Sequence, residues 1–492
     1  MPDNVLLVVA VLAPVLGSLL LPLLGPISPR LRNAVSFLLV LAALVCSVCL
    51  IPTALNGKQP VVGGYLPGMG DHPLFTADAL AVFTACVSAF ISAIVVIYST
   101  GYIREYEHQN EYYFMVTLFL GSMMGLVYAA NLAVLYVFWE LTAVASWRLI
   151  GFFREKEHVR KADKAFLVTA FGALAMLLGF VSIAVAGGSL ELSVLKDKFP
   201  NGLPDLSVGL ILLGILSKSA TLPLHTWLPD AGVAPSPVTA LLHAAVLVKI
   251  GVYVFARLFL VTFLLSADWQ TTVLVIAAAS ALVSAAAAML DNNLKRIIAY
   301  STVSQIAFIF LGFASGTAIG AAGGMLYILM HGLAKGGLFL CAGIVEHTAH
   351  TKDIRKMGGL IRVMPVTAVC FLLCAFSVMG IPPFGGFFSK YMVIGGAIQG
   401  KHQWIALVFV AGAVMTLLYL LRVFRAVFLG PAAEVKHEAG EQTAHAAGNE
   451  GIPVMVGSVV VLAALGLVAG IAIYPPTQFA LKAVTQMLGL VK

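Results

Sequence analysis

Seven ionisable side chains sit where an apolar chain gains nothing structural from charge. Glu140 lies in LYVFWELTAVAS, Lys218 in LLGILSKSATLPL, and His243 and Lys249 in LLHAAVLVKIGVY. His331 and Lys335 lie in LMHGLAKGGLFL, and Lys390 in PPFGGFFSKYMV. A charged side chain at mid-bilayer costs at least about 2.5–3.5 kcal/mol and reads by default as functional. One lysine near a helix end could snorkel to the surface, but the cost accumulates over five separate places in one chain. Glu, Lys and His all exchange protons when their surroundings change. Burial disfavours a charged lysine and a nearby carboxylate restores it. Lys218 beside a movable Glu140 is therefore a proton switch, charged when the carboxylate is close and discharged when it is drawn away. His243 titrates near neutrality with little perturbation, and His331 and Lys335, four residues apart, share a helix face.

Two of these places carry helix breakers. Lys218 is followed by Pro223 and the proline-rich LHTWLPDAGVAPSP, and Lys390 is preceded by Gly380, Pro382, Pro383, Gly385 and Gly386. Proline removes a backbone hydrogen bond and frees a carbonyl. In a membrane, such breaks are tolerated where they line a protein-buried or watery cavity. Paired interruptions in two halves of a chain point to inverted-repeat transport architecture. Lys218 and Lys390 fit as equivalents in two such halves.

The elements that must position these groups are membrane spans. Of 492 residues, 60% are hydrophobic and 10% charged, with a mean hydropathy of +0.99. Soluble chains carry about 25% charged residues, so a cytosolic enzyme, a disordered chain and a nucleic-acid binder are excluded. The net charge of +7 belongs to loops rather than to a DNA-binding face. A membrane helix needs about 20 mostly apolar residues. Runs of that kind fall at 4–24, 33–55, 77–99, 112–130, 132–152, 164–187, 206–224, 236–260, 270–290, 294–315, 317–345, 364–397, 403–429 and 452–475. The expected fold is thus an all-α polytopic membrane protein of about fourteen transmembrane helices, with helices 7 and 12 broken and two inverted five-helix repeats. The expected division is 1–111 (helices 1–3), 112–260 (first repeat), 261–429 (second repeat) and 430–492 (polar loop and final helix).

Alternate loops, beginning after the first run, hold 17 of the 29 lysines and arginines; the opposite loops hold 7, and five lie within runs. By the positive-inside rule, both termini are expected on the outer side of an energy-converting inner membrane. Met1-Pro2-Asp3-Asn4 lacks the basic stretch of a signal peptide, so the first run reads as a retained span. Cys46 and Cys49 have CxxC spacing but sit in an apolar run without a second pair, so all six cysteines read as packing residues. The stretch 431–451, with His437 and His445 among carboxylates, matches no metal-site spacing and reads as a solvated loop. No metal and no cofactor are expected. Arg148, eight residues after Glu140, either competes for that carboxylate or reaches the inner surface beside Arg154; the surface reading is preferred.

Several long motifs follow one another in order: FWELTAVAS around Glu140, SKSATLPLHTWLPDAGVAPSPVTALLHAAVLVKIG over 217–251 and DNNLKRIIAYSTVSQ over 291–305. HGLAKGGLFL from His331, HTKDIRKMGGL over 350–360 and GIPPFGGFFSK ending at Lys390 complete the series. Over about residues 70–430 the chain resembles the antiporter-like subunits shared by respiratory complex I, Mrp sodium/proton antiporters and membrane-bound nickel–iron hydrogenases. The resemblance implies that Glu140 pairs with Lys218, that Lys249 and His243 form a central relay continued by His331 and Lys335, and that Lys390 is the terminal lysine beside an exit half-channel. It also implies other membrane subunits as partners and a chain without a redox cofactor of its own. Tyr327 stands where relatives often have another histidine. Lys390 fits the large antiporter-like member of complex I and the Mrp members, yet a chain ending near residue 492 leaves no room for the long lateral helix of the former.

The expected function is therefore a proton-translocating subunit of a redox-driven complex, of complex I or hydrogenase type. The alternative is a subunit of an Mrp-type sodium/proton antiporter, which differs little in motif chemistry. A non-pumping relative kept for assembly conflicts with the full Glu–Lys–His–Lys series, and a self-sufficient transporter lacks any substrate pocket beyond proton chemistry.

Overall fold

The computed structural model describes residues 1–66, 70–431 and 450–489. The polar stretch with His437 and His445 lies outside them. Helices dominate: α1 (Asp3–Ser18), α2 (Pro29–Cys49), α3 (Ala79–Tyr102), α4 (Gln109–Val127), α5 (Leu132–Ile150) and α6 (Lys156–Gly187) come first. Then follow α7 (Asp205–Lys218), α8 (Ser236–Thr262, with two π turns), α9 (Ala267–Leu290), α10 (Leu294–Ala314) and α11 (Ala318–Ala349). The chain closes with α12 (Pro365–Met379), α13 (Gly385–Gln399), α14 (Gln403–Phe424), α15 (Pro453–Ile471) and α16 (Tyr474–Met487).

Among the described residues, ten helices, some extended by a short adjoining turn, are long and apolar enough to cross a membrane. The expected runs at 4–24, 112–130, 206–224 and 364–397 fall instead on helices that are shorter, interrupted or polar at one end. Helices 7 and 12 are broken as expected: α7 stops at Lys218, and α12 and α13 are separated by Gly380–Phe384. The Leu222–Pro223 and Pro382–Pro383 peptides in these breaks are cis.

The two largest described elements without a counterpart among the apolar runs are a hairpin and a C-terminal helix. Residues 61–66 and 70–76 pair as an antiparallel hairpin, β1 and β2, between α2 and α3. The last apolar helix ends at Ile471, and α16 then packs back on α3 and α11, with Phe479 against Phe83 at 5.3 Å. Glycine and proline interrupt the hydrophobic alternation of the hairpin, and α16 is too polar to register as a span.

Helix starts follow from short polar side chains that accept the otherwise orphaned first amides. Asp78 caps α3 by accepting from Ala81 (2.9 Å), Asn131 caps α5 from Val134 (2.8 Å), and Asn293 caps α10 from Arg296 (3.2 Å). Helices α3, α8, α10 and α11 are almost wholly buried and form the centre. The outer α6 presents Leu167, Phe171, Leu174, Leu178 and Val185 outward, the apolar surface that lipid requires. Small residues let helices approach where lipid-soluble surfaces gain little from mere burial. A Cβ on Gly172 of α6 would overlap Ser217 Oγ of α7, which leaves no room for a side chain there. That contact fixes the end of α7 and so the position of Lys218.

Candidate functional site

Every one of the seven expected residues except Glu140 is fully or almost fully buried. Lys218 is the last residue of α7, where the negative end of the helix dipole favours a cation. The carbonyls freed by the break are taken up locally: Trp227 Nε1 donates to Ser217 O (3.0 Å), and Thr221 Oγ1 donates to Leu216 O (3.1 Å). Lys218 Nζ donates to Trp139 O at 3.1 Å and lies 5.2 Å from the Trp139 ring centroid. Glu140, the next residue on α5, acts on Lys218 electrostatically but stands beyond the 4.0 Å of an ion pair. Glu140 Oε1 is buried without a hydrogen-bond partner. Glu140 and Lys218 are thus neighbours that make no ion pair.

The π turn Leu241–Ala245 in α8 breaks the regular hydrogen-bond ladder. Its freed carbonyls find side-chain donors: Ala244 O accepts from Lys249 Nζ, and Ala245 O from Ser88 Oγ (2.8 Å). His243, inside the turn, packs at a tilt on Phe339 of α11 with ring centroids 4.4 Å apart. Lys249 Nζ lies against Gly332, one residue after His331; a Cβ there would be 2.6 Å from it. His331 is in the electrostatic field of Lys249, Lys335, His243 and Lys390 together. Both ring nitrogens of His243 and of His331 lack protein partners, so both histidines are free to bond water. Lys335 Nζ donates to Ile298 O of α10 (3.0 Å), and Lys390 Nζ to Val378 O at the end of α12 (2.7 Å). Lys390 Nζ lies 4.6 Å from the Phe308 ring centroid and 5.8 Å from that of Tyr327.

One rule covers all four lysines: each amine meets a backbone carbonyl, none a carboxylate. Lys249 and Lys390 use carbonyls freed by a helix break. Lys218 and Lys335 use carbonyls of unbroken helices that also accept from a threonine, Thr142 to Trp139 O (2.6 Å) and Thr302 to Ile298 O (3.1 Å). Threonine bonding back to its own helix bends the helix locally, which opens the carbonyl to a second donor. A carbonyl holds an amine in either protonation state, because ammonium and neutral amine both donate. The arrangement suits groups that must gain and lose protons without collapsing the site.

Arg148 does not compete for Glu140. It pairs with Glu111 of α4, which also binds Arg154 at 2.6 Å. Tyr327 donates to Gln305 Oε1 (2.6 Å), and Gln305 continues to Thr416 (3.2 Å), so the tyrosine is anchored by a buried amide. Two buried ion pairs lie outside the expected set. Arg257 binds Asp78 at 2.5 and 2.8 Å and also Tyr253, and Lys295 binds Glu346 at 2.6 Å. Neither pair was legible in the sequence, because all four residues sit at run ends, where charge is unremarkable.

Residues 129–416, more than half of the chain and the whole of this constellation, match the model of the family described as NADH:quinone oxidoreductase/Mrp antiporter, transmembrane. The chain belongs to that family. Among its relatives, an Na(+)/H(+) antiporter subunit of Staphylococcus haemolyticus is 32% identical over 496 residues, covering 95% of this chain and 61% of that protein. An Na(+)/H(+) antiporter subunit of Alkalihalophilus pseudofirmus is 34% identical over 519 residues, with 96% and 62% covered. This family member therefore spans about three fifths of the length of those curated relatives. Its fold is shared by a chain of the membrane-bound sulfane sulfur reductase, an archaeal respiratory membrane complex (TM-score 0.88, 23% identity, 99% and 98% covered). It is shared equally by a chain of the Mrp complex from Dietzia sp. DQ12-45-1b (TM-score 0.87, 21% identity, 100% and 98% covered).

Proposed function

We propose that this chain is the ion-translocating, antiporter-like subunit of a multi-subunit sodium/proton antiporter of Mrp type. Protons pass between Glu140, Lys218, His243 and Lys249, His331 and Lys335, and Lys390, and the opening and closing of Glu140 against Lys218 couples this chain to neighbouring membrane subunits. The observation that carries the reading is the burial of His243, Lys249, His331, Lys335 and Lys390 in the central helices and their neighbour α13, each lysine held by a backbone carbonyl that tolerates both protonation states. The relatives named as antiporter subunits favour the Mrp-type assembly over a redox-driven complex. The likeness to a chain of an archaeal respiratory complex keeps the redox-driven pump as the second reading. In both, the basic loops face the cytoplasm and both termini face outward. The blocks 112–260 and 261–429 act as inverted repeats, with Lys218 and Lys390 at their equivalent breaks.

The test is gentle-detergent purification of the native complex, identification of its subunits by mass spectrometry, and sodium-driven proton flux in proteoliposomes. Small membrane subunits with no redox protein, together with sodium-dependent flux, support the antiporter. Co-purified iron–sulfur, nickel-site or quinone-reactive subunits with flux that ignores sodium would transfer the chain to the redox-driven reading.

A further inference from the structure

A polar cavity of about 430 Å³ opens on the face that bears most of the basic loops, lined by Tyr102, Tyr106, Glu346, His347, His350 and Lys352. Its floor is a three-residue clasp. Glu346 Oε2 binds Lys295 Nζ at 2.6 Å, and Glu346 Oε1 binds Lys352 Nζ at 3.1 Å. Lys295 is 2% exposed and also donates to Ala234 O (3.2 Å), whereas Lys352 stands at the rim with a third of its side chain exposed. Glu346 thus bridges an inner and an outer lysine. The loop carrying Lys352 is stapled to the start of α10: Leu294 N donates to Lys352 O (2.8 Å), and Ile354 N to Asn292 O (2.9 Å). In the same loop the Arg355 guanidinium, hydrogen-bonded to Asp353, holds that carboxyl down to about 2.

Behind the clasp, polar groups continue toward the buried cluster. Ser236 Oγ donates to Glu346 Oε2 (3.4 Å), and Thr239 Oγ1 donates to Ser236 O (2.8 Å). Ser236, Thr239 and His243 follow one another at helical spacing on one face of α8. Gly343 of α11 closes against Ser236 and the Tyr98 hydroxyl, where a Cβ would meet both at 2.6 Å. Ser92 Oγ and both ring nitrogens of His243 are buried without protein partners. The order from the open face is therefore cavity, clasp, Ser236, Thr239, His243.

We propose that this cavity is the vestibule through which protons reach His243 from the basic face, and that the Lys295–Glu346–Lys352 clasp is its gate. The proposal rests on the proton-relay reading above and names the place where that relay meets solvent. With Glu346 on Lys295 the passage is closed by a buried charge pair. Release of Lys295, with Glu346 kept by Lys352, opens it.

A purely structural pair would hold the same geometry, so the test reads access rather than activity alone. Thr239→Cys is placed behind the clasp in the assembled complex, in a chain whose six native cysteines are replaced by serine or alanine. A membrane-impermeant, positively charged thiol reagent is then added from one face at a time. Lys295→Met is the gate variant, because Glu346 keeps Lys352 and no buried carboxylate is left unpaired. The Thr239→Cys labelling rate from the basic face should rise about tenfold in Lys295→Met, the change for loss of about 1.4 kcal/mol of closure. Labelling from the opposite face should stay negligible. Equal rates with and without Lys295, or faster labelling from the opposite face, would overturn the gate. This readout needs no transport, so it stands even if the relay reading fails in its own assay, transport by Lys249→Met.

Discussion

Replacing Glu140 by alanine should slow transport about thirtyfold while leaving the assembly intact. Among the described residues Lys218 has no ion-pair partner within 4.0 Å, and Glu140 is the carboxylate that acts on it. At 4 Å and an effective dielectric of about 20, two unit charges attract by about 4 kcal/mol, and at twice that distance by about 2 kcal/mol. If the switch cycles between a closed pair and an opening to about twice that distance, Glu140 supplies an alternation of about 2 kcal/mol. Lost from the barrier, that is a fall of roughly thirtyfold in turnover. Lys218 keeps its bond to Trp139 O and its contact with the Trp139 ring in the variant, so folding should survive. The assay is proton flux in proteoliposomes containing complex of verified subunit composition, with Glu140→Asp as the conservative control. Flux at the unsubstituted rate in an assembled Glu140→Ala complex would refute the switch.

Other outcomes follow from individual contacts. Asp78→Ala strands Arg257 as a buried unpaired charge and should cost about 3–5 kcal/mol; thermal unfolding in detergent should show the loss, and adding Arg257→Met should recover much of it. Arg148→Ala should change flux by less than about twofold, because Arg148 serves Glu111 beside Arg154 at the membrane edge and exposed or half-exposed pairs contribute about 0–1 kcal/mol. Gly172→Leu forces a side chain into Ser217 at the end of α7 and should destabilise by about 1–3 kcal/mol, with flux falling because Lys218 moves with that helix end. Thr302→Val removes the second bond that opens Ile298 O, and should lower flux with little change in thermal stability, since the lysine that loses its seat, Lys335, remains enclosed.

Much of this architecture is legible because lipid makes sequence unusually strict. Long apolar runs have few alternatives to helix, so the order of spans and the breaks after Lys218 and before Lys390 follow from hydropathy and proline alone. The buried ionisable residues stand out for the same reason: Lys249 or Lys335 on a soluble surface would carry no message. The partners of those residues are not legible. The acceptors are backbone carbonyls, which every residue has, and only three-dimensional packing selects Trp139, Ala244, Ile298 and Val378. The π turn around His243 leaves no composition signature. The hairpin at 61–76 and helix α16 lie outside the apolar pattern, and Lys295 and Glu346 look like ordinary loop-edge charges until α10 and α11 bring them to 2.6 Å.

The most direct test is sodium-driven proton flux through the assembled complex with Lys249→Met, the substitution at the lysine that joins the π turn of α8 to His331. The account predicts that flux is lost while the subunit composition is unchanged. Undiminished flux through a complete complex carrying that substitution would contradict it.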